Sequence, residues 1–554
     1  MDKRFFLALF LTGVVLVVTP LIVPSPPRTA VPAVATNTTT TAVPTVGTVP
    51  PSVVPTPGVA PVARVATVPG ARATANIPVE SVTVTAAGAR LTLSSQGAAP
   101  TVATLPGYKS LGRTSGSVAL SAPGAPMLRY RILAGADTIR LDQATYRMTT
   151  AAAGRTTTVT FTSDDPTHPA TVAYHADSAA SVTRVDIAAG NAGARAYLLL
   201  DLPGAFVSHE ADTLDDIRHL SYAAKPVSKG ASGVSFSGVD PGERKIVAGP
   251  LSWAVAKTKY FMVGVLSPTD SVPFAELQVV GGARDSKLAT RATGTVVVPL
   301  TAAGTASFDL YAGPQAWDRM RAMGREFETA NPYGGFMQGV VQPFATIVMR
   351  IMLWLKRVVQ LDYGWVLVIF GLTIRIVLWP LNQSAMRSSL RLQRIQPELT
   401  AVQERYKNDQ TKLQQEIMRV YQSHGMSPFS ALSGCLPALI PMPVFFALFF
   451  VFQNTIEFRG VPFLWLPDIS LRDPLYVLPI VTGASMFLLS WIGMRNMPKN
   501  PQATMMLYLM PGMFTMFLLS TASGLSIYYL VQQIAAIPQQ WLIANERRKA
   551  TTGG

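Results

Sequence analysis

"GLTIRIVLWPLN", residues 371–382, decides what kind of chain this is. Leu367, Val368, Ile369 and Phe370 precede it, and Ile376, Val377, Leu378 and Trp379 follow the charge on Arg375. A run this apolar reads as a helix that crosses a bilayer. An arginine at the centre of such a helix costs about 2.5–3.5 kcal/mol on insertion scales. Arg375 lies five residues before Pro380, roughly 7–8 Å along a helix axis, so snorkelling to the near interface is only partial. The charge is therefore expected to face a water-filled cavity inside a helix bundle, open toward the cytoplasm.

The rest of the composition agrees with a membrane protein. Of 554 residues, 49% are hydrophobic and only 14% are charged, against roughly 25% charged in soluble domains. The net charge of +15 fits either nucleic acid or basic cytoplasmic loops. The single cysteine, Cys435, excludes an intrachain disulfide and reads as a packing residue. His209-Glu210 lacks a second histidine four residues on, so the metalloprotease pattern is absent. No Gly-Lys dipeptide and no G-x-G occur, which excludes a standard Walker A loop and the dinucleotide fingerprint. No cofactor, metal ligand set or catalytic residue is expected.

Along the chain the character changes several times. Lys3 and Arg4 precede an apolar run, Phe5–Val23, long enough to span; residues 1–23 read as an uncleaved signal-anchor helix. Residues 24–79 are rich in Pro, Thr, Val and Ala without an acidic residue, and read as an extended linker. Residues 80–330 begin a different domain. "ESVTVTAAGARLTLSS", "GRTTTVTFTSDD" and "TGTVVVPLTAAGTASFDLYAGP" alternate, carry β-branched residues and break at Gly, Pro and Asp. These are strand signals, and their number predicts one large β-sandwich outside the cytoplasm. Residues 336–361 place Met337, Val341, Phe344, Val348, Ile351, Leu355 and Val358 at helical spacing. Gln338, Gln342, Thr346, Arg350 and Arg357 fall on another face. This predicts an amphipathic helix in the membrane interface.

Five further spans are expected at 363–381, 431–453, 474–493, 503–520 and 523–543, making a helical core over 363–548. Segment 382–430 carries seven Lys or Arg; 494–502 carries Arg495 and Lys499; the tail carries Arg547, Arg548 and Lys549. With the N-terminus inside, every basic loop is cytoplasmic, which satisfies the positive-inside rule and leaves nucleic-acid binding unnecessary. Within 382–428, Met386, Leu390, Leu399, Val402 and Tyr406 form one helical stripe. Leu413, Ile417, Val420 and His424 continue it beyond Asn408-Asp409. A helical hairpin follows. Its basic residues Arg387, Arg391, Arg394, Arg405, Lys407 and Lys412 are candidates for docking a ribosome or nascent chain.

No acidic residue lies in the other spans to neutralise Arg375. They supply neutral polar groups instead, among them Gln453, Thr482, Ser485, Ser490, Thr515, Ser523, Ser526, Gln532 and Gln533. A buried arginine among such groups fits a hydrated groove better than an ion pathway, which would show intramembrane Asp, Glu or His. A basic half-channel of this kind suits the polar, often acidic, segments of a polypeptide moving outward.

The chain at this point resembles the YidC membrane protein insertase family. The resemblance rests on "LYAGP", "YGWVLVIFGLTIRIVLWPLN", "RLQRIQPELTAVQERYKNDQTKLQQEIMRVYQSHGMSPFS", "GCLPALIPMPVFFALFFVF" and "GLSIYYLVQQIAAIPQQWLI". It implies a polytopic α-helical membrane protein with six transmembrane helices, a large periplasmic all-β sandwich domain and a cytoplasmic helical hairpin. It implies an inner-membrane location with both termini cytoplasmic. The implied partners are nascent membrane proteins, the Sec translocon, the ribosome and the lipid bilayer. Arg375 matches the family's groove arginine, and Tyr528-Tyr529 match a position near the substrate path. The implied groove set is Arg375, Gln453, Thr482, Ser485, Ser523, Ser526, Tyr528, Tyr529 and Gln532. Gly371 stands one turn before Arg375, where better-known members carry a hydroxyl residue, and is expected to leave room beside the arginine.

Overall fold

The computed structural model describes residues 78–86, 88–122, 126–190, 195–269, 273–284, 288–331, 338–377, 379, 395, 398–424, 442–494 and 501–552. The expected signal-anchor, most of the linker, Cys435, Arg387, Arg391 and Arg394 lie outside these residues. The alternation seen in the sequence becomes a large antiparallel β domain. Ser81–Ala86 and Ala89–Ser94 form a hairpin with Ser81 opposite Ser94 and Ala86 opposite Ala89, turned at Gly88, whose φ is +89°. This pair opens a four-stranded sheet that runs to Ser117–Ala119. A second, fourteen-stranded sheet takes the remaining strands. Ala170–Asp177 and Thr183–Ala189 pair toward one edge of it, with Thr183–Ala189 also bonded to Thr305–Pro314. Along Ala170–Asp177 alternate residues are buried, so one face supplies the core and the other stays wetter.

Val84, Leu91 and Leu105 of the small sheet pack in one cluster with Tyr130, Phe161, Tyr174 and Phe308 of the large one and with Phe236 of a nearby turn. Buried hydroxyls find partners inside it, as where the Tyr174 hydroxyl donates to the Ala98 carbonyl at 2.8 Å. A separate cluster closes around Trp253. The short helix Trp317–Ala322 and the turn Phe327–Ala330 bring Met320 and Phe327 onto it. The Trp253 and Phe327 rings meet edge to face at 5.5 Å.

The chain then becomes helical: α1 (Gln338–Val359), α2 (Tyr363–Val377), α3 (Met442–Asn454), α4 (Val477–Met494), α5 (Pro501–Leu518) and α6 (Ser523–Thr552). Six spans are expected, and the first, over 1–23, lies outside the described residues. Among the described residues α1 and α4 are at least 18 residues long and apolar enough to cross a membrane. α2 is described over 15 residues and α3 over 13, and each borders residues outside those described. α6 is long, at 30 residues, but Gln532, Gln533, Gln539 and Gln540 interrupt its apolar character. α1 keeps Val341, Val348 and Leu355 buried as its periodicity predicts, whereas Phe344 and Val358 are exposed. The reason is its partner: α1 packs on α3, and the Thr455 hydroxyl donates to Met349 Sδ at 3.4 Å. That contact rotates the buried stripe from the one the sequence pattern suggests, bringing in Ala345, Met349 and Met352.

Residues of the hairpin fall in a compact unit separate from the β domain and the rest of the helices. Helix 398–405 and helix Gln410–Ser423 join at a turn over 406–408. Asp409 caps the second helix by accepting the Lys412 amide at 3.1 Å. His424 lies 3.8 Å from Glu398, which brings the two far ends together as in a hairpin. Arg405, Lys407 and Lys412 are exposed.

The loop between α3 and α4 locks the bundle to the β domain. Ile456 enters the β-domain core. Arg459 donates from Nε to both Glu210 oxygens at 2.9 and 2.8 Å, and from its other nitrogens to the Lys109 and His209 carbonyls. Both side chains are nearly inaccessible, at 4% and 7%, and the guanidinium sits 5.1 Å from the Phe261 ring centre. Burial pushes the Glu210 carboxyl up to about 7, opposed by Arg459. Beside this pair, Glu457 Oε1 accepts the Trp317 amide at 3.4 Å, while Oε2 has no partner among the described residues. Burial pushes the Glu457 carboxyl up to about 7 as well.

Removing one member of the buried pair strands the other charge. Arg459→Ala is expected to destabilise the docked arrangement by about 3–5 kcal/mol, read as a lowered melting temperature and faster proteolysis of the β domain. Glu457 retains its proton in the folded chain up to about pH 7 and releases it near pH 4.5 when exposed. Its contribution to stability is full below the lower value and is lost as pH rises through the upper one. Melting temperature should therefore fall as pH rises from about 4.5 to about 7 and level off above that, and Glu457→Gln should flatten that slope; an unchanged slope in the variant would refute the assignment.

Candidate functional site

Arg375 lies on α2, two residues before Val377, the last residue of its described range. The helix starts beside the docked loop, where Tyr363 meets Phe458 edge to face at 5.6 Å. Gly364 is needed there because the Phe463 ring occupies the space a side chain would take. Twelve residues on, Arg375 lies roughly 18 Å from that end, toward the opposite side of the bundle from the β domain. Its guanidinium donates from Nη2 to Gln539 Oε1 at 2.7 Å, and its Nε is buried without a partner among the described residues. The group that receives the charge is a neutral amide, not a carboxylate.

α6 supplies that amide by running parallel to α2 at close range. A side chain on Gly371 would meet Val531 Cγ1 at 3.0 Å and Tyr528 Cδ2 at 3.7 Å. Gly371 thus permits helix–helix contact and does not leave room beside the arginine, as had been expected. Its carbonyl accepts from Gln532 Nε2 at 2.7 Å. Phe370 and Tyr528 pack with centroids 5.8 Å apart. Gln532 and Gln539 are seven residues apart, about two helical turns, so both reach the same neighbour. Sequence reading singled out Gln532 and missed Gln539, although this spacing was available.

The other expected groove residues divide. Tyr528 and Gln532 join Arg375 at the α2–α6 contact. Tyr529 faces elsewhere, toward Phe445 of α3 at 5.7 Å and Phe514 of α5 at 5.1 Å. Thr482 is buried and donates to the Leu478 carbonyl of its own helix at 2.7 Å. Ser485 is half-buried on α4. Ser526 is fully buried, its hydroxyl without a partner among the described residues. Ser523 donates to the Ile469 carbonyl at 3.3 Å, which puts it at the docked-loop end. Gln453 lies at the same end, two residues before Thr455. The structure does not bring these last two to Arg375. Among the described residues no three His, Cys, Asp or Glu side chains are grouped to hold a metal ion.

Two family profiles divide the chain. The one described as YidC periplasmic domain matches residues 81–347, and the one described as 60Kd inner membrane protein matches residues 354–550. The chain belongs to the YidC membrane protein insertase family. The β domain is the YidC periplasmic domain and α2–α6 lie in the inner-membrane part of the family. It is a family of insertases, not of enzymes. The protein named Membrane protein insertase YidC of Anaeromyxobacter sp. (strain Fw109-5) is 34% identical over 325 residues, covering 57% of this chain and 56% of that one. That of Geobacter sp. (strain M21) is 32% identical over 294 residues, 53% of this chain and 52% of the relative. That of Azotobacter vinelandii (strain DJ / ATCC BAA-1303) is 33% identical over 260 residues, 46% and 44%. The chain thus spans about half the length of the curated relatives it matches.

The close α2–α6 contact carries its own test. Gly371→Leu would force the helices apart and should destabilise the bundle by about 1–3 kcal/mol, measured as the thermal unfolding midpoint in detergent micelles. An unchanged midpoint would show that the two helices do not meet at this glycine.

Proposed function

We propose that this chain inserts integral membrane proteins into the inner membrane and helps them fold, alone or beside the Sec translocon. The observation that carries the reading is Arg375: a cation in an apolar helix, held by a neutral amide. Such a site keeps its positive charge and invites water and acidic polypeptide segments. The hydrophilic flank of a client enters this groove from the cytoplasmic side. Partial hydration of the groove around Arg375 lowers the barrier for polar chain to cross. The client's hydrophobic segment then leaves along α3 and α5, and its transfer into lipid supplies the driving force without nucleotide or metal. The exposed Met505, Met510, Met513 and Met516 on α5 suit this exit, because thioether side chains adapt to many partners.

In this reading both termini are cytoplasmic, six helices span the membrane, and the β domain is a periplasmic sandwich held by the α3–α4 loop. α1 lies in the outer interface with Arg350 and Arg357 near headgroups. The hairpin, through Arg387, Arg391, Arg394, Arg405, Lys407 and Lys412, meets the ribosome or the emerging chain. No nucleic-acid specificity is needed.

Depletion of the protein should block insertion of a small client with an acidic exported tail, and unimpaired insertion would reject the function. Arg375→Ala should lower insertion of that client by about tenfold or more, the order expected for losing a charge-assisted contact. Arg375→Lys should restore much of it if the charge, not the guanidinium fork, is what the client meets.

A further inference from the structure

We propose that Gln539 is the positioning residue of the groove: it holds the Arg375 guanidinium in place while leaving its charge intact. The proposal rests on the groove reading above. Gln539 is only 2% exposed, and its Oε1 accepts one Nη2 proton of Arg375 at 2.7 Å. A guanidinium has five N–H donors in a planar fork, so this bond fixes the plane and leaves other donors for an incoming carboxylate. Gln532, two turns earlier on the same face, anchors α6 to the Gly371 carbonyl at 2.7 Å. The two glutamines therefore tie α6 to the backbone of α2 and to its one cation separately. The chemistry at position 539 matters because of what an amide is not. Glutamate has nearly the same shape, but its charge would pair with Arg375 and cancel the field a client's acidic residues would meet. An alanine would free the guanidinium and remove an acceptor from a buried donor.

The test separates positioning from mere packing by varying the client. The full-length protein is reconstituted in phosphatidylethanolamine–phosphatidylglycerol vesicles with a small client bearing an acidic exported tail. A second client has those acids changed to amides. Gln539→Glu is expected to slow the acidic client by about tenfold, close to Arg375→Ala, and to leave the neutral client within about twofold of the unmodified protein. Gln539→Ala is expected to give a smaller loss, again confined to the acidic client, and Gln539→Asn to lie between Ala and the parent. Equal losses for both clients would mark a packing role and overturn the proposal. If Arg375→Ala discriminates between the clients and Gln539→Glu does not, positioning alone falls. If Arg375→Ala itself does not discriminate, the groove reading fails and takes this proposal with it.

Discussion

A cation inside an apolar helix bundle must be solvated, and the bundle around Arg375 is arranged by that requirement. A carboxylate would satisfy the charge and abolish it as a recognition element. The chain uses amides. Gln539 takes the guanidinium directly, and Gln532 secures the neighbouring backbone. Both sit on α6, so α6 must approach α2 closely, and Gly371 is the residue that lets it. The glutamines in turn cost α6 its uniform apolar character, which is why a helix of 30 residues does not read as a simple span.

The other end of the bundle obeys the opposite rule. There a full ion pair is buried between the α3–α4 loop and the β domain, with Arg459 and Glu210 in direct contact. Carbonyls of Lys109 and His209 engage the two remaining guanidinium nitrogens, one each. This is the saturated arrangement that a buried pair needs if desolvation is to be offset. One arginine is fully committed to holding two parts of the chain together; the other is left incompletely committed. The contrast is the physical basis for reading Arg375 as a site and Arg459 as a joint.

Much of this was legible beforehand because it depends on local pattern. Alternation over 80–95 and 154–165 became paired strands in the expected places. The stripe Leu413, Ile417 and Val420 became a helix capped at Asp409, where the turn had been placed. Other features were illegible because they depend on a partner. The buried face of α1 is rotated from the one its periodicity suggests, since α3 decides which side is covered. Ser523 and Gln453 looked like groove residues, because a polar residue in an apolar run carries no label for depth. Packing puts both at the loop end, away from Arg375.

By itself the sequence determined the class of protein, the strand-rich and helix-rich regions, and the presence of one arginine without an acidic neighbour in the spans. Periodicity and composition are enough for those, because they act over a few residues. Only the tertiary structure decided that Gln539 receives the arginine, that Gly371 is a contact and not a gap, and that Arg459 closes on Glu210. These join residues 164 and 249 positions apart. Such pairings are set by how helices and sheets meet, and no local pattern encodes which of several glutamines, or which of several glutamates, will be the one within reach.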